Sequence, residues 1–294
     1  MPDFGEAERR ILNYFVRGTQ VVYRGRKMTV REAGKPTCLQ GEPKTDIYVL
    51  VAEGEETEEI KISYKKENAD FLENKMNAIR AEQLFGTCWR RIIENSTQRI
   101  RGEFEKRIRI YKKKFMRTEQ GAITLGWKFE LLNKPGGDLS GKMNLTPRQV
   151  YDVYAGTNLS ADKKNAWVNG RKIENSGVAE YILVTDGVVS AQDIIDRMIP
   201  MEQYIIAHPD IYFACKALNY RTFATKYDGN RPLAVQVDWK IIDGKLTSDL
   251  IFDHPLEKNG DEMAGRLLAC MNRLGIRTTD DIGQNNADMR KVYQ

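Results

Sequence analysis

The chain has 294 residues, 41% hydrophobic and 30% charged, with a net charge of +5, ample for a sizeable core in one elaborated domain or two smaller ones. No apolar run approaches the roughly 18 residues that span a bilayer, and the acidic, amphipathic start MPDFGEAERRILNYF is not a signal peptide pattern, so a cytoplasmic protein with no membrane partner is expected. Four scattered cysteines without a CxxC pair, and only two histidines (His208 and His254), exclude a His/Cys zinc site and a His-dependent triad; any metal should be a hard cation on carboxylates.

Apolar Phe4, Ile11, Leu12, Phe15 and Val16 recur at helical spacing, which predicts a first helix within 4–17. TQVVYRGRKMTV predicts a short hairpin around Arg24-Gly25, and GKPTCLQGEPKTD a loop. A second hairpin is expected with strands near 46–52 and 58–65. ENADFLENKMNAIRAEQLFGTCWRRIIENS reads as helix, with Phe71, Met76, Ile79, Leu84 and Phe85 as its buried stripe and Gly86 as an interruption. A basic helix is expected near 94–117. The middle, 121–178, is rich in Gly, Asn and Lys; within it LTPRQVYDVY predicts a short helix with Thr146 as N-cap and Pro147 at its first position. GVAEYILV predicts a strand and SAQDIIDRMI a helix capped by Ser190. RPLAVQVDWKIIDGKLTSDLIFD predicts a hairpin with a tight turn at Asp243-Gly244. DEMAGRLLACMNRLG predicts a last helix stopped by Gly275. The sum is an α/β protein with a mixed or mainly antiparallel sheet.

Charge is uneven along this pattern. Residues 90–117 hold eleven Lys or Arg and three acids, a local +8 on a body that otherwise sums to −3. Such a segment is the footprint expected for a polyanion, with Arg101, Arg107, Arg109, Lys112, Lys113 and Lys114 as candidate nucleic-acid contacts. The alternative is a solvated helix face. Tyr111, Phe115, Trp127 and Phe129 are either base-stacking platforms or core. The Gly-rich KPGGDLSGK lacks the GxxxxGK[ST] spacing, so it is no P-loop. VDWK reads as a solvated sheet face, and His208 as a turn or core residue.

The most informative stretch is GEPKTDIYVLVAEGEETEEIKISYKK, residues 41–66. Strand alternation puts Glu59, Lys61, Ser63 and Lys65 on one face and Ile60, Ile62 and Tyr64 on the other. A turn at Gly54-Glu55 sets Asp46 opposite Ser63, with Lys61 and Lys65 diagonal to it. A turn at Glu53-Gly54 sets Asp46 opposite Lys61. Both registers bring the acid to a lysine of the neighbouring strand. The alternative reading is an edge hairpin guarded by lysines against aggregation.

An aspartate entering one strand and facing an acid-x-lysine motif on the next resembles the PD-(D/E)xK nuclease superfamily, over about residues 1–90. Asp46 matches the first acid. Glu59-Ile60-Lys61 fits the formal second motif; Ser63-Tyr64-Lys65 fits its position but holds a serine in place of an acid. The preferred set is Asp46 and Lys65 with Ser63 beside them and Glu42 as a substitute acid. Glu6 or Glu8 of the first helix, and Glu82 and Gln83 after the hairpin, are further candidates. The resemblance implies a restriction-endonuclease-like core, its mixed, mainly antiparallel sheet flanked by helices, with an elaborated middle and C-terminal part. The expected divisions are 1–120, 121–178 and 179–294. It implies a Mg²⁺-dependent DNA endonuclease, Asp46 and Glu42 holding the metal and Lys65 positioning water. The serine admits an alternative: a catalytically weakened binding protein, phage- or mobile-element-encoded, acting on nucleic acid or on a protein partner in a host defence complex. A structural homo-oligomer is a third, blander reading.

Overall fold

The computed structural model describes residues 4–39 and 41–294. The side chains of Phe4 and Phe71, expected in apolar stripes, lie outside the described residues. The chain passes between two units: Met1–Asp70 with Leu145–Pro209, and Phe71–Asn144 with Asp210–Gln294. The first begins with α1 (Phe4–Leu12), β1 (Gln20–Tyr23), β2 (Arg26–Gly34), β3 (Ile47–Glu53) and β4 (Glu56–Lys65). The second then contributes β5 (Phe71–Glu73), α2 (Ala78–Phe85), α3 (Trp89–Arg99), α4 (Arg101–Lys106), β6 (Ile110–Tyr111), β7 (Ala122–Leu132) and β8 (Ser140–Lys142). The chain returns for α5 (Pro147–Ala155), α6 (Ala161–Lys164), β9 (Trp167–Val168), β10 (Arg171–Lys172), β11 (Tyr181–Val184), α7 (Ala191–Arg197), β12 (Ile199–Pro200) and α8 (Met201–Ala207). It finishes in the second unit with β13 (Tyr212–Arg221), β14 (Lys226–Tyr227), β15 (Val235–Ile242), β16 (Lys245–Ile251), α9 (Gly260–Arg273) and β17 (Val292–Tyr293). The result is α/β with mixed, mainly antiparallel sheets flanked by helices.

In the first unit the sheet order is β1-β2-β3-β4-β11-β12. Turn chemistry starts it: Arg24 and Gly25 both adopt positive φ, 51° and 78°, as a two-residue turn between right-twisting strands requires. Alternation then decides which face is dry. Val49, Val51, Ile60, Ile62 and Tyr64 join Ile11 and Phe15 from the first helical segment and Ile194 and Ile195 of α7 in one core. Each such aliphatic contributes about 1.5–3 kcal/mol, and a one-residue slip would turn the whole set to the opposite face. That excludes a one-residue slip, and the turn sets the β3–β4 pairing, with Glu53 opposite Glu56 and Ile47 opposite Ile62. This is the register of the Gly54-Glu55 turn. β4 then pairs in parallel with β11, Ser63 beside Ile182. Parallel neighbours need a crossover, and α5 lies in that connection. It is well capped: the Thr146 side chain and that of Gln149 form a reciprocal box, Pro147 opens the helix and Gly156 ends it at φ 77°.

In the second unit β7 is central, flanked by β13 and β15 in the order β14-β13-β7-β15-β16. Asp243 (φ 50°) and Gly244 (φ 73°) form the expected turn. Gly275 (φ 68°) ends α9, its N–H bonding to Asn272 O. Edge-to-face rings fill the core: Phe104 lies 5.1 Å from Trp127 and 5.6 Å from Phe252.

Three expectations change. The stretch after the hairpin opens with a strand instead of a helix, though the interruption expected at Gly86 is there; Met76, Leu84 and Phe85 are buried as expected but Ile79 is exposed. The basic helix stops at Lys106, because the next residues extend into β6 and pair with β7. The divisions expected near 120 and 178 differ from the observed ones at 70/71, 144/145 and 209/210. Composition shifts there, but β7 belongs to one packed sheet and β11 to another.

Candidate functional site

Asp46 stands just ahead of β3, where its N–H bonds to Ile62 O at 2.9 Å. That bond seats it opposite Ser63. Its Oδ2 accepts the Tyr64 N–H at 2.7 Å and a longer contact from Ser63 Oγ at 3.4 Å. The carboxyl is partly open to solvent yet densely surrounded by protein atoms. Desolvation pushes it up to about 6. The Lys65 charge, the Tyr64 N–H and Lys35 pull against that rise, and Glu8 adds to it.

Glu8 arrives from α1. It shares a helix face with Ile11, Leu12 and Phe15, at i+3, i+4 and i+7, so the stripe that packs on the sheet carries an acid at its N-terminal end. Lys35 follows the end of β2 and bonds Glu8 Oε2 at 2.5 Å. Burial works to lower the Lys35 ammonium, but the Glu8 bond and the charges of Glu8, Glu42 and Asp46 outweigh it and raise its pKa. Glu6 is different: it sits in solvent, 3.8 Å from Arg10. The cluster at this end of the sheet is thus Asp46, Ser63, Lys65, Glu8 and Lys35, with Glu42 on the exposed loop beyond.

Lys35 carries no sequence signal. A bulge in β2, where the pairing shifts between Val30 and Glu32, decides which face the following residues take. Glu8 is legible once the helical stripe is followed one turn back from Ile11.

The formal motif Glu59-Ile60-Lys61 has another fate. Lys61 is buried, and its ammonium lies 2.8 Å from Glu180 and 3.7 Å from Glu59. Glu59 also accepts the Tyr48 hydroxyl at 2.7 Å. Glu180 reaches Lys61 because its N–H bonds to Lys61 O at the entry to β11. The register places Lys61 opposite Tyr48, not Asp46.

Glu82 and Gln83 lie on α2, in the second unit, where Gln83 accepts from Arg80. They do not belong to the unit that holds Asp46. The helix that leads back to the strand beside β4 is α5.

The basic segment also lies in the second unit. Arg101 pairs with Glu105 at 2.7 Å and Arg107 with Asp138 at 2.8 Å. Lys112 donates to Ile282 O at 2.6 Å. Lys113 is exposed, and Lys114 is exposed with Glu119 at 3.7 Å. Arg109 corrects the expectation: it is buried and donates to Ser248 O and Oγ, and desolvation lowers its guanidinium. It is a structural cation, withdrawn from any surface ligand. Trp127 and Phe129 are core, while Tyr111 and Phe115 stack at 6.3 Å on the surface hairpin.

Among the described residues no three His, Cys, Asp or Glu side chains gather as a metal-holding group, and no helix is long and apolar enough to cross a membrane. The donor set near Asp46 is two carboxylates, Asp46 and Glu8, and one hydroxyl. Compared with protein-family models, curated proteins and solved structures, the chain has no match.

Proposed function

We propose that the first unit is a phosphodiesterase centre acting on DNA, built on the PD-(D/E)xK pattern, with Asp46 and Lys65 as its working pair. The observation that carries this reading is the seating of Asp46: a desolvated carboxylate opposite Ser63, with Lys65 one step further along the same face. The element order supports it too. In the first unit a helix is followed by a four-stranded antiparallel meander, β1 to β4, a connecting helix, α5, and a strand, β11, parallel to β4. Residues 71–144 of the second unit then intervene between the meander and α5, and residues 210–294 complete that unit after α8.

A hard cation shared with the substrate fits the donor set, since Mg²⁺ takes one or two protein carboxylates and fills its shell with phosphate oxygens and water. Asp46 and Glu8 would hold it; when bound, it neutralises charge on the phosphate and lowers the pKa of water. Glu42, the acid expected from sequence, serves instead to support Lys35 through charge. Lys65 orients an attacking water and offsets the charge that develops on the phosphoryl oxygens. Lys35 fixes Glu8 in place. Ser63 leaves Asp46 with a hydrogen-bond donor where a second strand-borne acid would otherwise compete with it for protonation.

The test is plasmid cleavage by the full chain in Mg²⁺ or Mn²⁺, with Asp46→Asn and Lys65→Ala alongside. Nicking or linearisation that both substitutions abolish is the expected result. A second reading, a binding protein that has lost catalysis, is favoured by Ser63 in the acid position. Intact plasmid in both metals, with DNA or protein binding retained in both variants, would select it.

A further inference from the structure

One turn of the second unit carries a long apolar residue at positive φ, where the other hairpin turns carry glycine or, in the β13–β14 turn, the polar Thr225 (φ 50°). The hairpin tips at Arg24-Gly25, Gly54-Glu55, Asn169-Gly170 and Asp243-Gly244 each use a glycine at positive φ. The tip between Phe115 and Thr118 is closed by two backbone bonds of 2.9 and 2.8 Å, and its central residues are Met116 and Arg117. Met116 holds φ 51° without being glycine, and it is 82% exposed. A long apolar side chain in a left-handed conformation adds backbone strain, and in water it gains no packing in return. Neither propensity nor burial accounts for it.

The surroundings point to a ligand. The stem is packed by rings: Tyr111 stacks on Phe115, whose ring lies 4.7 Å from Tyr293. Lys113, Lys114 and Arg117 are exposed around the tip. Beside the stem base, Phe223 is half exposed on the neighbouring β13–β14 turn, its ring against Gly121. An apolar point among cations, on a narrow strand-built support, is the form of a side chain that wedges between base pairs while the cations hold backbone phosphates.

We infer that the Met116-Arg117 hairpin is a duplex-DNA wedge, Met116 entering a base step and Lys113, Lys114 and Arg117 gripping the flanking phosphates. A membrane is the poorer occupant, because anchoring needs a broad apolar face and Tyr111, Phe115 and Tyr293 pack on one another. The inference rests on the nucleic-acid part of the proposed function and not on its chemistry.

The test uses the full chain in EDTA, so that binding is read without cleavage. The probes are 30-base-pair duplexes with 2-aminopurine at successive positions, the matching single strand, and vesicles of phosphatidylglycerol and phosphatidylcholine. The expected result is duplex binding with a fluorescence rise at one step. Met116→Gly should keep or raise Tm, since glycine accepts the turn, while abolishing the rise and weakening binding roughly tenfold. Lys113→Ala with Lys114→Ala should lower the salt slope of binding by about 2. Unchanged fluorescence and affinity in Met116→Gly overturn the wedge, as does tighter binding to the single strand or the vesicles. Duplex distortion by a chain that cuts no plasmid leaves the wedge standing and the catalytic reading fallen; cleavage with a silent Met116→Gly does the reverse.

Discussion

Two lysines on the same face of β4 have opposite circumstances. Lys61 belongs to the formal acid-x-lysine motif, and it is the one already satisfied: buried, with Glu180 at 2.8 Å and Glu59 at 3.7 Å. Lys65 follows a serine, which spoils the motif, yet it faces the one desolvated carboxyl at this end of the sheet. Lys61 has two acids beside it and its charge is already compensated, whereas Lys65 acts on a desolvated acid, the setting in which perturbed groups at functional sites are found. The difference teaches that a short motif is read correctly only through its register.

Cleavage measures that difference most directly. Lys65→Ala is expected to lower the cleavage rate by about 10³-fold, in the range for a positioned proton-transfer or charge-stabilising group. Lys61→Ala should change the rate by less than about threefold at a temperature where the variant is folded, since its ammonium has no part at the Asp46 end. Equal losses in both variants would erase the distinction between the two lysines.

Protonation gives the next largest effect. The folded Asp46 carboxyl titrates at about 6, above its unfolded position of about 3.9. The folded state therefore binds that proton more tightly. The resulting stability is complete below about pH 4 and is lost as pH rises through about 6. Asp46→Asn is neutral throughout and escapes the loss. Its stability relative to wild type should climb by about 2–3 kcal/mol between pH 4 and pH 8, measured by urea unfolding at each pH. A flat difference would mean that Lys65 and Lys35 fully offset the desolvation. Cleavage should show the matching acid limb, failing below about pH 6 as Asp46 takes its proton.

The serine can be probed by restoring an acid. Ser63→Asp puts a second carboxylate opposite Asp46, and the Mn²⁺ concentration for half-maximal cleavage should fall about tenfold. Without metal the same pair of acids should lower Tm at pH 8, through like-charge repulsion in a crowded site. A metal requirement that does not move would place the cation away from Ser63.

Much of this was legible in the residues, and the rest fails for identifiable reasons. Local signals held where the chemistry is local: the turns at Arg24-Gly25 and Asp243-Gly244, the Thr146 box and the Gly275 stop all appear where expected. Asp46 opposite Ser63 was one of two registers, both of which keep Ile60 and Ile62 on the dry face with Val49 and Val51; the turn at Gly54-Glu55, with Glu53 opposite Glu56, selects it. What failed depends on distant pairing. Glu180 meets Lys61 only because β11 lies beside β4, more than a hundred residues later. Arg109 looked like one more surface cation of the basic run, but pairing of β6 with β7 carries it inside to Ser248. The helix after the hairpin looked like part of the same core because it follows in sequence, whereas residues 71–144 form part of the second unit.

The smallest effect separates what Lys61 does from what it resembles. Removing one partner of a buried pair leaves uncompensated charge and is strongly destabilising when both partners are dry. Here the acids are 35% and 45% exposed, so water solvates what the lysine leaves behind. Lys61→Ala should cost about 1–2 kcal/mol, between the surface and buried limits. Lys61→Met, which keeps the buried stem against Tyr48, should cost less than the alanine. An equal loss in both would assign the whole contribution to charge, and no loss in the methionine variant would assign it to packing. In the second case the formal motif Glu59-Ile60-Lys61 would owe its place in the strand to the shape of the lysine stem.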